Sequence, residues 1–158
     1  SVDQKEHPVM ILIPGNQVTY READKDFNRL NHFKVEEAGE KVAILALGDF
    51  YQRGEQLSAK IKAELGFTPT LINPRFASGI DKELLESLSE RHQMVITMED
   101  GILSGGFGEK IASFYGSSDM KNYGLDKKFY DRYDPNELLK EVGMTPVQII
   151  ADICNQIK

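Results

Sequence analysis

Lys41-Val42-Ala43-Ile44-Leu45-Ala46-Leu47 is apolar at almost every position and is bounded by Gly39 and Gly48. A strand with one face in water alternates apolar and polar residues. An unbroken apolar run suits a parallel strand covered by helices on both faces. The residues that follow keep to that scheme. Leu57, Ile61 and Leu65 recur at helical spacing across 52–65, and Gly66 ends the helix. Thr70-Leu71-Ile72-Asn73 is a second strand, and Asp81 is the N-cap of a helix bearing Leu84, Leu85 and Leu88. Gln93 to Met98 is a third strand. Gly105-Gly106-Phe107-Gly108 opens another helix, with Ile111, Phe114 and Tyr115 on its apolar side. Strands and helices in alternation imply a three-layer α/β/α fold with a mostly parallel sheet.

Working outward, Asp134-Pro135-Asn136-Glu137 and Thr145-Pro146-Val147-Gln148 both place a capping residue before a helix-opening proline. Gly143 ends the first of these helices, and Ile149, Ile150, Ile153 and Ile157 form the buried stripe of the second. Between Ser118 and Leu125 the alternation asks for one more strand. Only the short and polar Met120-Lys121-Asn122-Tyr123 is available there. Two readings stand: a minimal strand, or residues missing from the chain at that point. Toward the N-terminus, Val9-Met10-Ile11-Leu12-Ile13 reads as a short buried strand stopped by Pro14-Gly15. Residues 16–38 are polar and weakly periodic, and read as a connector with a strand near Phe33-Lys34-Val35.

The chain has 158 residues, 41% of them hydrophobic, which is one domain with a real core. A net charge of −6 argues against nucleic acid as the main partner, and no polybasic patch suits a membrane surface. No apolar run is long enough to span a bilayer. The single cysteine, Cys154, excludes an internal disulfide framework and a Cys-rich zinc site, and fits a reducing cytoplasm. Residues 1–8 are polar, without the apolar centre of a signal peptide. With no initiating Met, the chain reads as processed or as part of something longer.

The candidates for chemistry are few. Gly105, Gly106 and Gly108 lie at a helix start, where free N–H groups can hold an anion. The spelling is neither a dinucleotide fingerprint nor a P-loop, and close helix–sheet packing explains the same glycines. Glu99-Asp100 ends a strand, a common place for site residues, yet neighbours in a strand point opposite ways and do not imply an acid/base couple. Arg75 in Asn73-Pro74-Arg75-Phe76 suits a phosphate or carboxylate, or else pairs with Asp81 or Glu99 as scaffolding. His7, His32 and His92 have no second ligand at metal spacing, and His92 reads as a surface residue. Cys154 reads as packing rather than as a nucleophile. Tyr123, Tyr130 and Tyr133 rim a pocket or form a docking surface. No catalytic residue is assigned.

The order of these motifs resembles the transketolase C-terminal domain across residues 39–158. The resemblance rests on the 39–48 strand, Asn73-Pro74-Arg75-Phe76 with Ile80-Asp81, His92 to Glu99 with Gly105-Gly106-Phe107-Gly108, Tyr123-Gly124-Leu125-Asp126, Phe129, and the Leu138-Leu139 helix ending at Val142-Gly143-Met144. Within that superfamily the chain is most similar to the 1-deoxy-D-xylulose-5-phosphate synthases. Residues 7–15 resemble the strand that closes their pyrimidine-binding domain. The resemblance therefore implies a remnant of that domain at 1–15, an interdomain connector at 16–38 and the C-terminal domain at 39–158. It implies a cytoplasmic transferase of isoprenoid and thiamine biosynthesis that condenses pyruvate with glyceraldehyde 3-phosphate and loses carbon dioxide. Thiamine diphosphate and Mg²⁺ would lie between preceding domains of the same chain, in a homodimer, so the fragment alone would be inactive. The family's phosphate-reaching arginine is matched here by Leu12. That departure keeps open another superfamily member, such as a 2-oxo-acid dehydrogenase β-subunit or a transketolase-like protein. A free-standing anion-binding module remains the non-enzymatic alternative.

Overall fold

The computed structural model describes Pro8, Met10, Arg29, residues 31–116 and residues 119–157. The strand expected at Val9–Ile13 and the Leu12 position lie outside the described residues. Five strands form one sheet in the order β1-β3-β2-β4-β5: β1 is Lys34–Glu37, β2 Lys41–Ala46, β3 Thr70–Asn73, β4 His92–Ile102 and β5 Met120–Leu125. The last four strands run parallel, and β1 joins the β3 edge antiparallel, with Lys34 opposite Asn73. Residues 34–37, read from sequence within the connector, thus extend the sheet. The polar stretch Met120–Tyr123 does form the expected strand, beside β4, so the alternation needs no missing residues there.

Among the described residues five helices cover the sheet: α1 is Tyr51–Leu65, α2 Lys82–Arg91, α3 Phe107–Tyr115, α4 Pro135–Glu141 and α5 Pro146–Gln156. Strand alternation divides the core in two. Val42, Ile44 and Ala46 of β2, with Met94, Ile96 and Met98 of β4, face Leu57 and Ile61 of α1, Leu139 of α4, and Ile149 and Ile153 of α5. Ala43, Leu45 and Val95 point the other way, into Leu85 and Leu88 of α2 and Phe107 and Ile111 of α3. The continuous apolar spelling of β2 follows directly, because both faces are buried. This is a three-layer α/β/α fold.

Helix boundaries follow local chemistry. Gly66 ends α1 in the left-handed region at φ 75°. The Asp134 side chain accepts from the N–H groups of Asn136 and Glu137, and Thr145 forms a full capping box with Gln148.

A buried carboxylate at the switch point of the sheet

The chain leaves β2 toward one edge of the sheet and leaves β4 toward the other. The carboxyl ends of β2 and β4 are therefore the topological switch point, where open α/β sheets bind ligands. Glu99 lies there. It continues the Val95, Thr97 alternation of β4, which carries its side chain under the start of α3, whereas Asp100 is exposed. Glu99 is only 5% exposed. Its two carboxylate oxygens accept from the N–H of Phe107 at 2.9 Å and of Gly108 at 2.8 Å.

Sequence placed Glu99 and the glycine cluster on separate lines of reasoning; the structure joins them. The anion at the N-terminus of α3 is the chain's own carboxylate, and an outside anion at these two N–H groups has to displace it. The Glu109 side chain accepts from the N–H of Gly105, and the N–H of Gly106 donates to the carbonyl of Leu103. The glycines are needed for approach. A Cβ on Gly106 would meet the Glu99 oxygens at 2.7 Å, and one on Gly108 would meet Thr97 Oγ1 at 2.5 Å. Thr97, itself buried, donates to Asn122 Oδ1 at 2.8 Å and so ties β5 to the same cluster. A cavity of about 430 Å³ opens beside this helix start, between Gly79-Ile80 and Glu109, Lys110 and Ser113. Lys110 Nζ closes its rim by donating to the Ala77 carbonyl at 2.8 Å.

Arg75 lies on the adjoining loop, and its guanidinium donates to the main-chain carbonyl of His32 through Nη2 at 2.8 Å. Asp81 does more than cap α2 at Leu84. Its other oxygen accepts from the N–H of Phe33, and His32 Nδ1 lies 3.5 Å away. The cap was legible as a spacing; the second contact spans 48 residues and had no local signal.

Other expectations need correction. His92 is half-buried rather than a plain surface residue. The N–H of Gly39 donates to Thr70 Oγ1, whose hydroxyl lies 2.8 Å from His92 Nε2, while Nδ1 lies 3.1 Å from the Leu88 carbonyl. With the Leu88 carbonyl accepting from Nδ1–H, the neutral tautomer leaves Nε2 to accept from the Thr70 hydroxyl. Burial pushes its pKa below the usual 6.5, with Arg91 assisting against the Leu88 bond. Cys154 is exposed, so it is not a packing residue. The three tyrosines separate. Tyr123 is buried and donates to Asp152 Oδ2 at 2.8 Å, beside the Lys121–Asp152 ion pair, whereas Tyr130 and Tyr133 stack edge-on at 6.2 Å. Phe129 is almost fully exposed.

Among the described residues, no group of three or more His, Cys, Asp or Glu is placed to hold a metal ion. Glu99, the buried carboxylate at the switch point, has both oxygens engaged by main-chain N–H groups. No helix among the described residues is long and apolar enough to cross a membrane.

The strand order and directions define a doubly wound α/β/α domain with an antiparallel edge strand. The chain belongs to the transketolase C-terminal domain family, which residues 31–149 match. It is 32% identical over 156 residues to a 1-deoxy-D-xylulose-5-phosphate synthase of Shouchella clausii, covering 95% of this chain and 25% of that one. It is 37% identical over 115 residues to the enzyme of the same name from Clostridium perfringens, covering 70% of this chain and 18% of that one. The chain thus spans about a quarter of the length of the first of these relatives. Among solved structures, a split-gene transketolase described as an inactive β4 tetramer superposes with a TM-score of 0.69 at 22% identity, over 80% of this chain and 42% of that one. The transketolase of Campylobacter jejuni gives 0.53 at 19% identity, over 79% of this chain and 18% of that one. These likenesses show the fold.

Proposed function

We propose that this chain is the C-terminal domain of a thiamine-diphosphate-dependent transferase of the 1-deoxy-D-xylulose-5-phosphate synthase type. The observation that carries the proposal is one of proportion: 95% of this chain aligns with 25% of a synthase. In that enzyme pyruvate would lose carbon dioxide and its two-carbon remainder would join glyceraldehyde 3-phosphate. The cofactor supplies the carbanion chemistry and the protein supplies binding and orientation. Thiamine diphosphate and Mg²⁺ would be held by preceding domains, in a cytoplasmic homodimer. Residues 39–158 would pack against those domains and support them without catalysing. One feature supports that division: the commitment of Glu99 to the start of α3. Residues 1–15 and 16–38 would be the closing strand of the preceding domain and the connector.

Leu12 favours a second reading, another transketolase-superfamily transferase with a different acceptor, since an aliphatic side chain lacks a guanidinium's charge and donors. Both readings meet in one experiment. The full-length gene product is incubated with thiamine diphosphate, Mg²⁺, pyruvate and glyceraldehyde 3-phosphate, and products are identified by mass. Deoxyxylulose phosphate from the full chain, and none from residues 1–158 alone, is the expected result. Decarboxylation that feeds only other acceptors selects the second reading. Absence of cofactor binding and of decarboxylation in the full chain overturns both.

A further inference from the structure

The three residues that lead into β1 are gripped one by one. Asn31 accepts at Oδ1 from the Ser78 hydroxyl at 3.2 Å and lies over Gly79, where a Cβ would collide with its side-chain amide. The His32 carbonyl accepts from Arg75 Nη2 at 2.8 Å and from Nε at 3.3 Å. The Phe33 N–H donates to the buried Asp81 carboxylate at 2.9 Å, and the Phe33 ring packs on Phe107 at 5.9 Å between centroids. All the gripping polar groups come from one loop, residues 73–81. That loop is anchored in turn, by the Asp81 cap on α2 and by Lys110 of α3 bonding to Ala77. Two of the non-glycine residues with positive φ belong to the two sides of this contact, Asn31 at 61° and Arg75 at 60°. Such conformations persist only where the surroundings over-determine them. Arg75 is held in its own by donating its N–H to Asn73 Oδ1 at 3.0 Å.

β-Pairing alone would secure this part of the chain only from Lys34 onward, through a four-residue edge strand. Short edge strands with few buried contacts open at low free energy. The grip lies at the end of β1 where the preceding chain attaches. We propose that loop 73–81 is a latch that fixes the direction in which the chain ahead of Asn31 leaves the domain, and so sets the orientation of what precedes it. Arg75, Ser78 and Asp81 are then positioning residues. The latch goes beyond the transferase reading, and its test needs no turnover.

The test uses this chain. Its single cysteine, Cys154, is exposed on α5 and takes one spin label; Arg29→Cys, just ahead of the latch, takes the other. Arg75→Gly removes the guanidinium at a φ that glycine adopts freely. Asn31→Gly does the same from the other side. The parent is expected to give one narrow label-to-label distance distribution, which broadens in both variants. Amide exchange at 33–37 is expected to quicken at least tenfold, while 42–46 and 94–98 keep their protection. Ser78→Ala, at an exposed position, carries the test if either glycine variant fails to fold, with a smaller broadening expected. An unchanged distance distribution overturns the latch. So does exchange that rises evenly across the domain, because the loop would then support the whole fold rather than the exit of the chain.

Discussion

Replacing Glu99 by alanine tests the central arrangement of the domain. The carboxylate accepts two buried main-chain hydrogen bonds, at 2.9 and 2.8 Å, from the first turn of α3. Hydrogen bonds to a charged group contribute about 1.5–3 kcal/mol each, and a buried donor left without a partner bears its full desolvation cost. Taking the lower figure for both bonds, Glu99→Ala should destabilise the domain by about 3 kcal/mol. For a domain of this size that is a fall in Tm of roughly 6–12 °C. Glu99→Gln keeps one accepting oxygen but turns an NH₂ toward the other N–H, so about half the loss is expected. Urea unfolding at neutral pH, followed by far-UV circular dichroism, gives both values, and amide exchange should rise first at 107–109. A cost below about 1 kcal/mol for Glu99→Ala would refute the reasoning, since the N–H groups would then be satisfied without the carboxylate.

Other outcomes follow from the same geometry. His92 has a folded pKa below its unfolded 6.5, so the folded state binds its proton less readily. The stability this contributes is full above pH 6.5 and is lost as pH falls through the lowered value. Urea midpoints should therefore drop between pH 7 and pH 5, and His92→Gln should flatten that drop. At the alkaline end, burial pushes Tyr115 up to about 12, and burial with the Asp152 bond pushes Tyr123 higher still. Their contribution is full below pH 10, the unfolded value, and is lost as pH rises toward the folded ones. Denaturation midpoints should fall from pH 10 upward, and less steeply in Tyr123→Phe. Gly108→Ala drives a Cβ to 2.5 Å from Thr97 Oγ1 and should cost about 1–3 kcal/mol by overpacking, read from the same urea curves. Ile153→Ala, in the covered face of α5, should cost about 2–5 kcal/mol and expose dye-binding apolar surface.

The central elements were legible because their physics is local. β2 is spelled by burial on both faces, and α4 and α5 by caps written within four residues. β5 was faint because an edge strand satisfies polar side chains through partners far off in sequence, Asn122 with Thr97 and Tyr123 with Asp152. β1 carries Lys34, Glu36 and Glu37, charged as exposed edges are, and so reads only as a short strand near Phe33-Lys34-Val35 inside a connector. The candidate site was half legible. Glu99 and Gly105–Gly108 were both singled out, but the carboxylate's partner depends on how far β4 runs, and the strand continues to Ile102. Helical phase placed Cys154 beside the apolar stripe; it does not say how wide the covered strip is. Ile153 is buried, and Cys154 next to it is exposed.

The division of the core bears on how the domain is made. Strands β1 to β5 have been translated by Leu125, yet one face of the sheet then still lacks Leu139, Met144, Ile149, Ile150 and Ile153. During synthesis, Val42, Ile44, Met94 and Ile96 pass through a period in which Phe50, α1 and Phe67 have emerged on their side but α4 and α5 have not. The nascent domain should therefore attract chaperones through that face until the last two helices clear the ribosome. Slow codons placed ahead of Asp134 would lengthen that window and lower the soluble yield, whereas the same codons ahead of α2 would not.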